Sequence, residues 1–211
     1  MREIWFATLF MLAVSGTVPA YAQPAKPDAE TTKSLLAIND QDRVLGKSDA
    51  PITIVEYASL TCPHCAHFEA TVLPDLKKNW IDTGKVKLVM RDFPLDQLAM
   101  KAEMLARCVP ADRFYPLTES LFATQQNWVV ANNPDGALQK QALFAGVGKK
   151  EFDACMANKG VEDQVAQSRL TASKQLGVDS TPTFFINGQK FTGEPTIEAF
   201  TQLLNGLAAK S

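Results

Sequence analysis

Apolar and polar positions fall into three kinds of pattern along this chain. Near its start, an apolar run from Ile4 to Val14 gives way to helix-breaking Gly16 and Pro19 and then to Ala20-Tyr21-Ala22. That is the layout of a secretory signal peptide, and the run is too short for the roughly 20 apolar residues of a membrane span. Cleavage is expected after Ala22, which makes residues 1–22 the signal segment. Residues 23–42 show no sustained apolar period and are expected to form a short flexible arm.

Beyond the arm the pattern alternates between strand and helix periods. Ile52 to Tyr57 is almost wholly β-branched or aromatic, the composition of a strand buried on both faces. Between Cys65 and Ile81, Phe68, Val72, Leu76 and Trp80 recur one helical turn apart and predict a helix, with a kink at Pro74. Lys85 to Phe93 alternates charged with apolar residues and predicts a second strand. Thr183 to Ile186, Asn187-Gly188 and Gln189 to Thr192 read as a hairpin, because Asn-Gly takes up the positive φ angles of a type I′ turn. A closing helix begins near Pro195 and carries Ile197, Phe200, Leu203, Leu204 and Leu207.

Strand, helix, strand, then hairpin and helix predict an α/β domain with a central mixed sheet flanked by helices. The interval between Cys62 and Pro182 is roughly 70 residues longer than that order requires. Its apolar positions have the helical period, at Leu98, Ala102 and Leu105, at Phe114, Leu117 and Leu121, at Leu138 and Ala142, and from Val161 to Leu176. The expected organisation is one α/β domain built from residues 43–95 and 177–211, with a helical subdomain inserted over residues 96–176.

Composition narrows the function classes. With 21 Lys and Arg against 23 Asp and Glu, a net charge of −2 and no basic block, nucleic acid is a poor partner. All four cysteines lie beyond Ala22, and an even count in an exported chain points to disulfides. The absence of an Asn-x-Ser/Thr acceptor and of a C-terminal retention signal favours a bacterial periplasm over the endoplasmic reticulum.

The candidate chemistry is Cys62-Pro63-His64-Cys65. Two thiols one turn apart can close a small disulfide ring when the first opens a helix. There the unpaired N–H groups and the helix dipole stabilise a thiolate and bring its pKa below the roughly 8.5 of a free cysteine. Haem attachment is excluded because Ala66, not His, follows Cys65. A zinc set of Cys62, Cys65, His64 and His67 is scattered round the helix at about 100° per residue, which leaves only half a site shared between two chains. A purely structural disulfide stays open, although it has no need of a helix N-terminus. Glu56 is a carboxyl group in an otherwise apolar strand, a costly placement unless it is paired or useful. Glu69 either tunes the site or is solvated on a helix face, and His67 is read as a surface residue.

The double-cysteine motif after a buried strand, a helical insertion, and Thr181-Pro182 ahead of a strand together resemble the DsbA family of exported thiol:disulfide oxidoreductases. The likeness runs from about Arg43 to the C-terminus. It implies a thioredoxin fold interrupted by helices. Residue by residue, it implies Cys62 as the exposed nucleophile and Cys65 as its buried resolving partner. It also implies Pro63 and His64 as the dipeptide of oxidising members, with His64 stabilising the Cys62 thiolate, and Pro182 as a cis-proline facing the disulfide. Glu56 becomes a proton acceptor for Cys65, against the alternative of an acid pointing to solvent from a strand edge. The implied activity is the introduction of disulfide bonds into exported proteins with free cysteines. The implied partner is a DsbB-like, quinone-linked membrane protein that reoxidises a monomeric enzyme needing no metal or cofactor. Thr181 departs from the valine of well-known oxidases in the family and keeps isomerase or reductase activity open. A different class, a thiol-based metal carrier or holdase, is the remaining alternative.

Cys108 and Cys155 both lie in the insertion. A bridge between them is worth about 4 kcal/mol in the chain-entropy model, which suggests a structural role. A regulatory disulfide acting on Cys62 and Cys65 is the alternative.

Overall fold

Strand β2 (Ile52–Ala58) lies at the centre of a mixed sheet and fixes the order of everything around it. In this computed structural model, which describes residues 28–209, β2 pairs in parallel with β3 (Val86–Asp92), from Ile52 opposite Val86 to Ala58 opposite Asp92. On its other side it pairs antiparallel with β4 (Thr183–Ile186). The edges are β1 (Val44–Leu45) beside β3 and β5 (Gln189–Lys190) beside β4. Both faces of β2 are covered, Ile52 and Ile54 packing with Phe68 and Phe200 and Val55 and Tyr57 with Leu36 and Ala172, which is why Ile52 to Ala58 carries no surface alternation. The signal segment lies outside the described residues.

The predicted hairpin is present. Asn187 and Gly188 have φ of 48° and 85°, the left-handed pair that the turn requires. Asn187 also accepts a hydrogen bond from Thr53 N at 2.8 Å through its side chain and donates to Thr53 O at 2.9 Å through its own N–H. The turn is thereby pinned to the central strand.

The helix expected over Cys65 to Ile81 is divided into three pieces. Helix α2 (Pro63–Thr71) stops at Val72, a single turn α3 (Leu73–Leu76) follows, and a π-helical turn covers Lys77–Ile81. Pro74 has no N–H to give to the preceding turn, so the break falls where the proline requires it. The apolar stripe survives the break. Phe68, Leu76 and Trp80 pack with Phe184, Phe200 and Leu204, and the Phe68 and Phe184 rings lie 4.7 Å apart. Phe200 and Leu204 come from the closing helix, which runs from Ile197 to Ala208 behind an N-cap at Thr196.

The insertion folds as helices α4 (Gln97–Cys108), α5 (Ala111–Ala123), α6 (Gln125–Val129), α7 (Pro134–Phe144), α8 (Lys149–Met156) and α9 (Lys159–Gln175). Its core of Leu105, Phe114, Leu117, Leu121, Trp128 and Leu138 is continuous with Ala58, Leu60, Cys62 and Cys65. The double-cysteine segment therefore sits at the seam between sheet and insertion, and belongs to the core of both.

One expectation is corrected. The segment read as a flexible arm is folded from residue 28 onward. Asp28 caps helix α1 (Ala29–Leu36), and Leu36, 5% exposed, packs with Val55, Tyr57, Val89 and Val178. Arg91 of β3 then grips the following turn. It donates to both carboxylate oxygens of Asp42 at 2.9 and 2.8 Å, to Leu35 O at 2.8 Å and to Ala37 O at 2.8 Å. Arg107 of α4 adds a bond to Gln41 O at 3.0 Å. The segment shows no apolar period because it is held mainly through its backbone carbonyls and one buried carboxylate, and hydrophobicity does not register either.

Candidate redox site

Cys62 is the N-cap of α2, with Pro63 in the first helical position, where a missing N–H costs nothing. Both cysteines are free thiols in this structure, and Cys65 is wholly buried. The Thr181–Pro182 peptide bond is cis. In its protonated form the Cys62 sulfur donates to the Thr181 carbonyl at 3.3 Å. The expectation of an exposed Cys62 is corrected here: the residue is 3% exposed, because the Thr181 segment on one side and the core of the insertion on the other close over it.

Two residues that the sequence did not single out hold the loop leading into the helix. Gln125 of α6 donates through Nε2 to Leu60 O and to Cys62 O, each at 3.0 Å. Glu103 of α4 is fully buried and accepts from Leu60 N at 3.3 Å. Nothing in the sequence betrays them, since both lie in the insertion, and only the fold brings them to the loop. Thr61 is tied in turn to the N-cap residue of α4, donating to Asp96 at 2.8 Å.

The two thiols have opposite electrostatics. Cys62 is lowered to about 5, first by a hydrogen bond from the Cys65 thiol. The Thr181 side chain, buried and otherwise unpartnered, contributes next, followed by the N–H groups of Cys65 and His64 at the helix start, all against the cost of burial. Cys65 is pushed well above the usual thiol range by burial, by its bond to Cys62 and by the charge of Glu56. Cys62 is thus the thiolate at neutral pH, and Cys65 holds its proton. The contribution of His64 comes through its backbone N–H, because its imidazole is exposed and forms no hydrogen bond among the described residues. Pro63 is exposed beside it.

Glu56 does not point to solvent from an edge. It is fully buried in the central strand, both carboxyl oxygens lack a hydrogen-bond partner, and burial, followed by the charges of Glu69 and Cys62, raises its pKa well above the carboxylate range. Burial therefore favours its protonated form, and it is coupled by charge to both thiols. Glu69 is not simply solvated either. It lines a groove between α2 and α5, where burial and the charge of Glu119 push its pKa up to about 8. His67 is exposed, near the Thr71 hydroxyl.

Cys108 and Cys155 are disulfide-bonded, with an S–S distance of 1.99 Å and Cα atoms 6.0 Å apart, and they join α4 to α8. Cys62 and Cys65 face inward while His64 and His67 face outward. Among the described residues no group of three or more His, Cys, Asp or Glu side chains is arranged to hold a metal ion. Nor is any helix among them long and apolar enough to cross a membrane.

Comparison with known proteins agrees with this geometry. A family profile described as Thioredoxin matches residues 38–206. A protein of Rickettsia bellii described as a protein-disulfide oxidoreductase is 33% identical over 178 residues, which cover 81% of this chain and 69% of the Rickettsia protein. The crystal structure of alpha-DsbA1 from Wolbachia pipientis superposes with a TM-score of 0.79 at 32% identity, covering 85% of this chain and 96% of that one. A protein-disulfide isomerase structure from Novosphingobium aromaticivorans superposes with a TM-score of 0.71 at 27% identity, covering 81% and 99%.

Proposed function

The chain belongs to the thioredoxin-fold protein-disulfide oxidoreductases of the DsbA type, and from that premise we propose that it is an oxidase. It introduces disulfide bonds into exported proteins through Cys62 and Cys65. The observation that carries this reading is the opposed titration of the two thiols. A thiolate at Cys62 stabilised down to about 5 makes the reduced enzyme the comfortable state and its disulfide the oxidant.

The exchange proceeds in two displacements. A substrate thiolate attacks the Cys62 sulfur of the oxidised enzyme, the Cys62–Cys65 bond breaks, and Cys65 leaves as a thiolate that takes the proton of Glu56. A second substrate thiolate then attacks the substrate's own sulfur in the mixed disulfide, and Cys62 departs as the stabilised thiolate. The substrate has lost two electrons and the enzyme has gained them. When a DsbB-like membrane quinone oxidoreductase removes those electrons, Glu56 accepts the Cys65 proton again. The Thr181 segment, with its carbonyl against Cys62, is the wall that a substrate backbone meets. The compartment is the periplasm, reached through a signal peptide cleaved after Ala22, and the working form is a monomer.

Equilibration with glutathione redox buffers tests this reading. An oxidase has a potential well above the roughly −270 mV of a thioredoxin-type reductant, and a value near that figure refutes it. Thr181 and the likeness to the Novosphingobium isomerase favour disulfide isomerisation as the second reading. Repair of scrambled ribonuclease that outpaces oxidation of the reduced enzyme would put that reading first.

A further inference from the structure

The groove in which Glu69 lies starts at the reactive helix and is built for one kind of side chain. It holds about 460 Å³ between α2, α3 and α5. Its walls are mainly apolar, from Ala66, Ala70, Leu73 and Phe122, and the half-buried Glu69 and the exposed Glu119 also line it. Neither carboxyl has an ion-pair partner among the described residues. Lys77, at the rim, is already committed to Asp82 at 2.7 Å. A second hollow, bounded by Pro63 and His67, shares Ala66 and Phe122 with the groove and reaches the residue that follows the reactive cysteine.

We propose that this groove is a substrate subsite that takes a lysine or arginine side chain of the protein being oxidised. The proposal rests on the disulfide-exchange reading above and adds a substrate preference to it. A long basic side chain lays its methylene stem along apolar walls and carries its charge to the end, which is the profile of this groove. Two uncompensated carboxyl groups close enough for one to repel charge on the other form a poor site for an acid or a neutral segment. They suit a cation, and a guanidinium can meet both. The distance also defines the register. Seven positions along α2 separate Cys62 from Glu69, about 10 Å at the rise of a helix. An extended peptide crosses that distance in about three residues. The preferred basic residue therefore lies about three positions from the substrate cysteine.

The test uses the oxidised full-length protein and a set of cysteine peptides that differ at one position. Stopped-flow rates are compared for lysine, serine and glutamate placed three residues to either side of the cysteine. A further peptide moves the lysine nine residues away, keeping net charge while leaving the groove. On one side the lysine peptide is expected to react about tenfold faster than its serine twin, with glutamate slowest and the distant lysine no better than serine. Glu119→Gln should bring the lysine advantage within about twofold and Glu119→Lys should reverse it. Each peptide rate is divided by the same variant's rate with dithiothreitol, so that a change common to all thiols drops out. Equal rates for lysine and serine on both sides of the cysteine, a distant lysine that works as well as a near one, or an advantage that survives Glu119→Lys each overturn the subsite. Failure to oxidise any thiol, dithiothreitol included, overturns the exchange reading itself.

Discussion

The sulfur of Cys62 owes its character to a few neighbours within hydrogen-bond reach, and that makes its behaviour with pH a sharp check. Its folded pKa, about 5, lies below that of an unfolded thiol. The stabilisation this gives the reduced protein is therefore complete above the unfolded thiol's value of roughly 8.5 and disappears as pH falls through the folded one. Thiolate absorbance at 240 nm should show a single early transition near pH 5 from Cys62. Cys65 should stay protonated through the neutral range. In the same window the excess thermal stability of the reduced over the oxidised form should shrink and vanish. Much of this was legible at the level of single residues: a cysteine opening a helix after a buried strand says thiolate. The same reasoning could not see that Thr181 and the insertion bury Cys62, nor that Glu56 is closed in on every side. Both depend on segments distant in sequence, Thr181 lying 119 residues from Cys62 and Phe184 pairing with Glu56 across the sheet.

Elements explain where the reading of the sequence stopped. Strand β2 was visible by its β-branched and aromatic composition, β3 by its alternation, and β4 by the Asn187-Gly188 turn beside it, because only certain residues take that turn's angles. The two residues of β1 are too few to make a pattern, and the π turn after α3 leaves no mark in hydrophobicity. Gln125 belongs to the same blind spot, a polar residue on the short helix α6 whose use emerges only in three dimensions. Replacing it with leucine leaves the Leu60 carbonyl buried without its donor and takes one of two donors from the Cys62 carbonyl, which keeps Ala66 N. The expected cost is about 2 kcal/mol in urea unfolding of the reduced protein. Hydrogen exchange should show loss of protection confined to the start of α2, whereas loss throughout the sheet would assign Gln125 a global role instead.

At the scale of the whole molecule, the insertion is held to itself by the Cys108–Cys155 bond and to the sheet by its shared core. The double variant Cys108→Ala, Cys155→Ala is expected to lose about 2 to 4 kcal/mol of stability with the Cys62–Cys65 potential unchanged. A shifted potential would reassign the bond as a regulator. The insertion was legible as surplus helical sequence, and the bridge between these two cysteines was suggested by both lying in it, with a structural role expected and a regulatory one left open. The N-terminal segment was not, and it carries a consequence of its own. Arg91 from the sheet and Arg107 from α4 both grasp the backbone between residues 35 and 42, so that stretch works as a clasp across the two halves of the molecule. It does so at α4, the helix whose Glu103 accepts from Leu60 N in the loop that leads to Cys62. Residues that never touch the sulfur thus govern its aim.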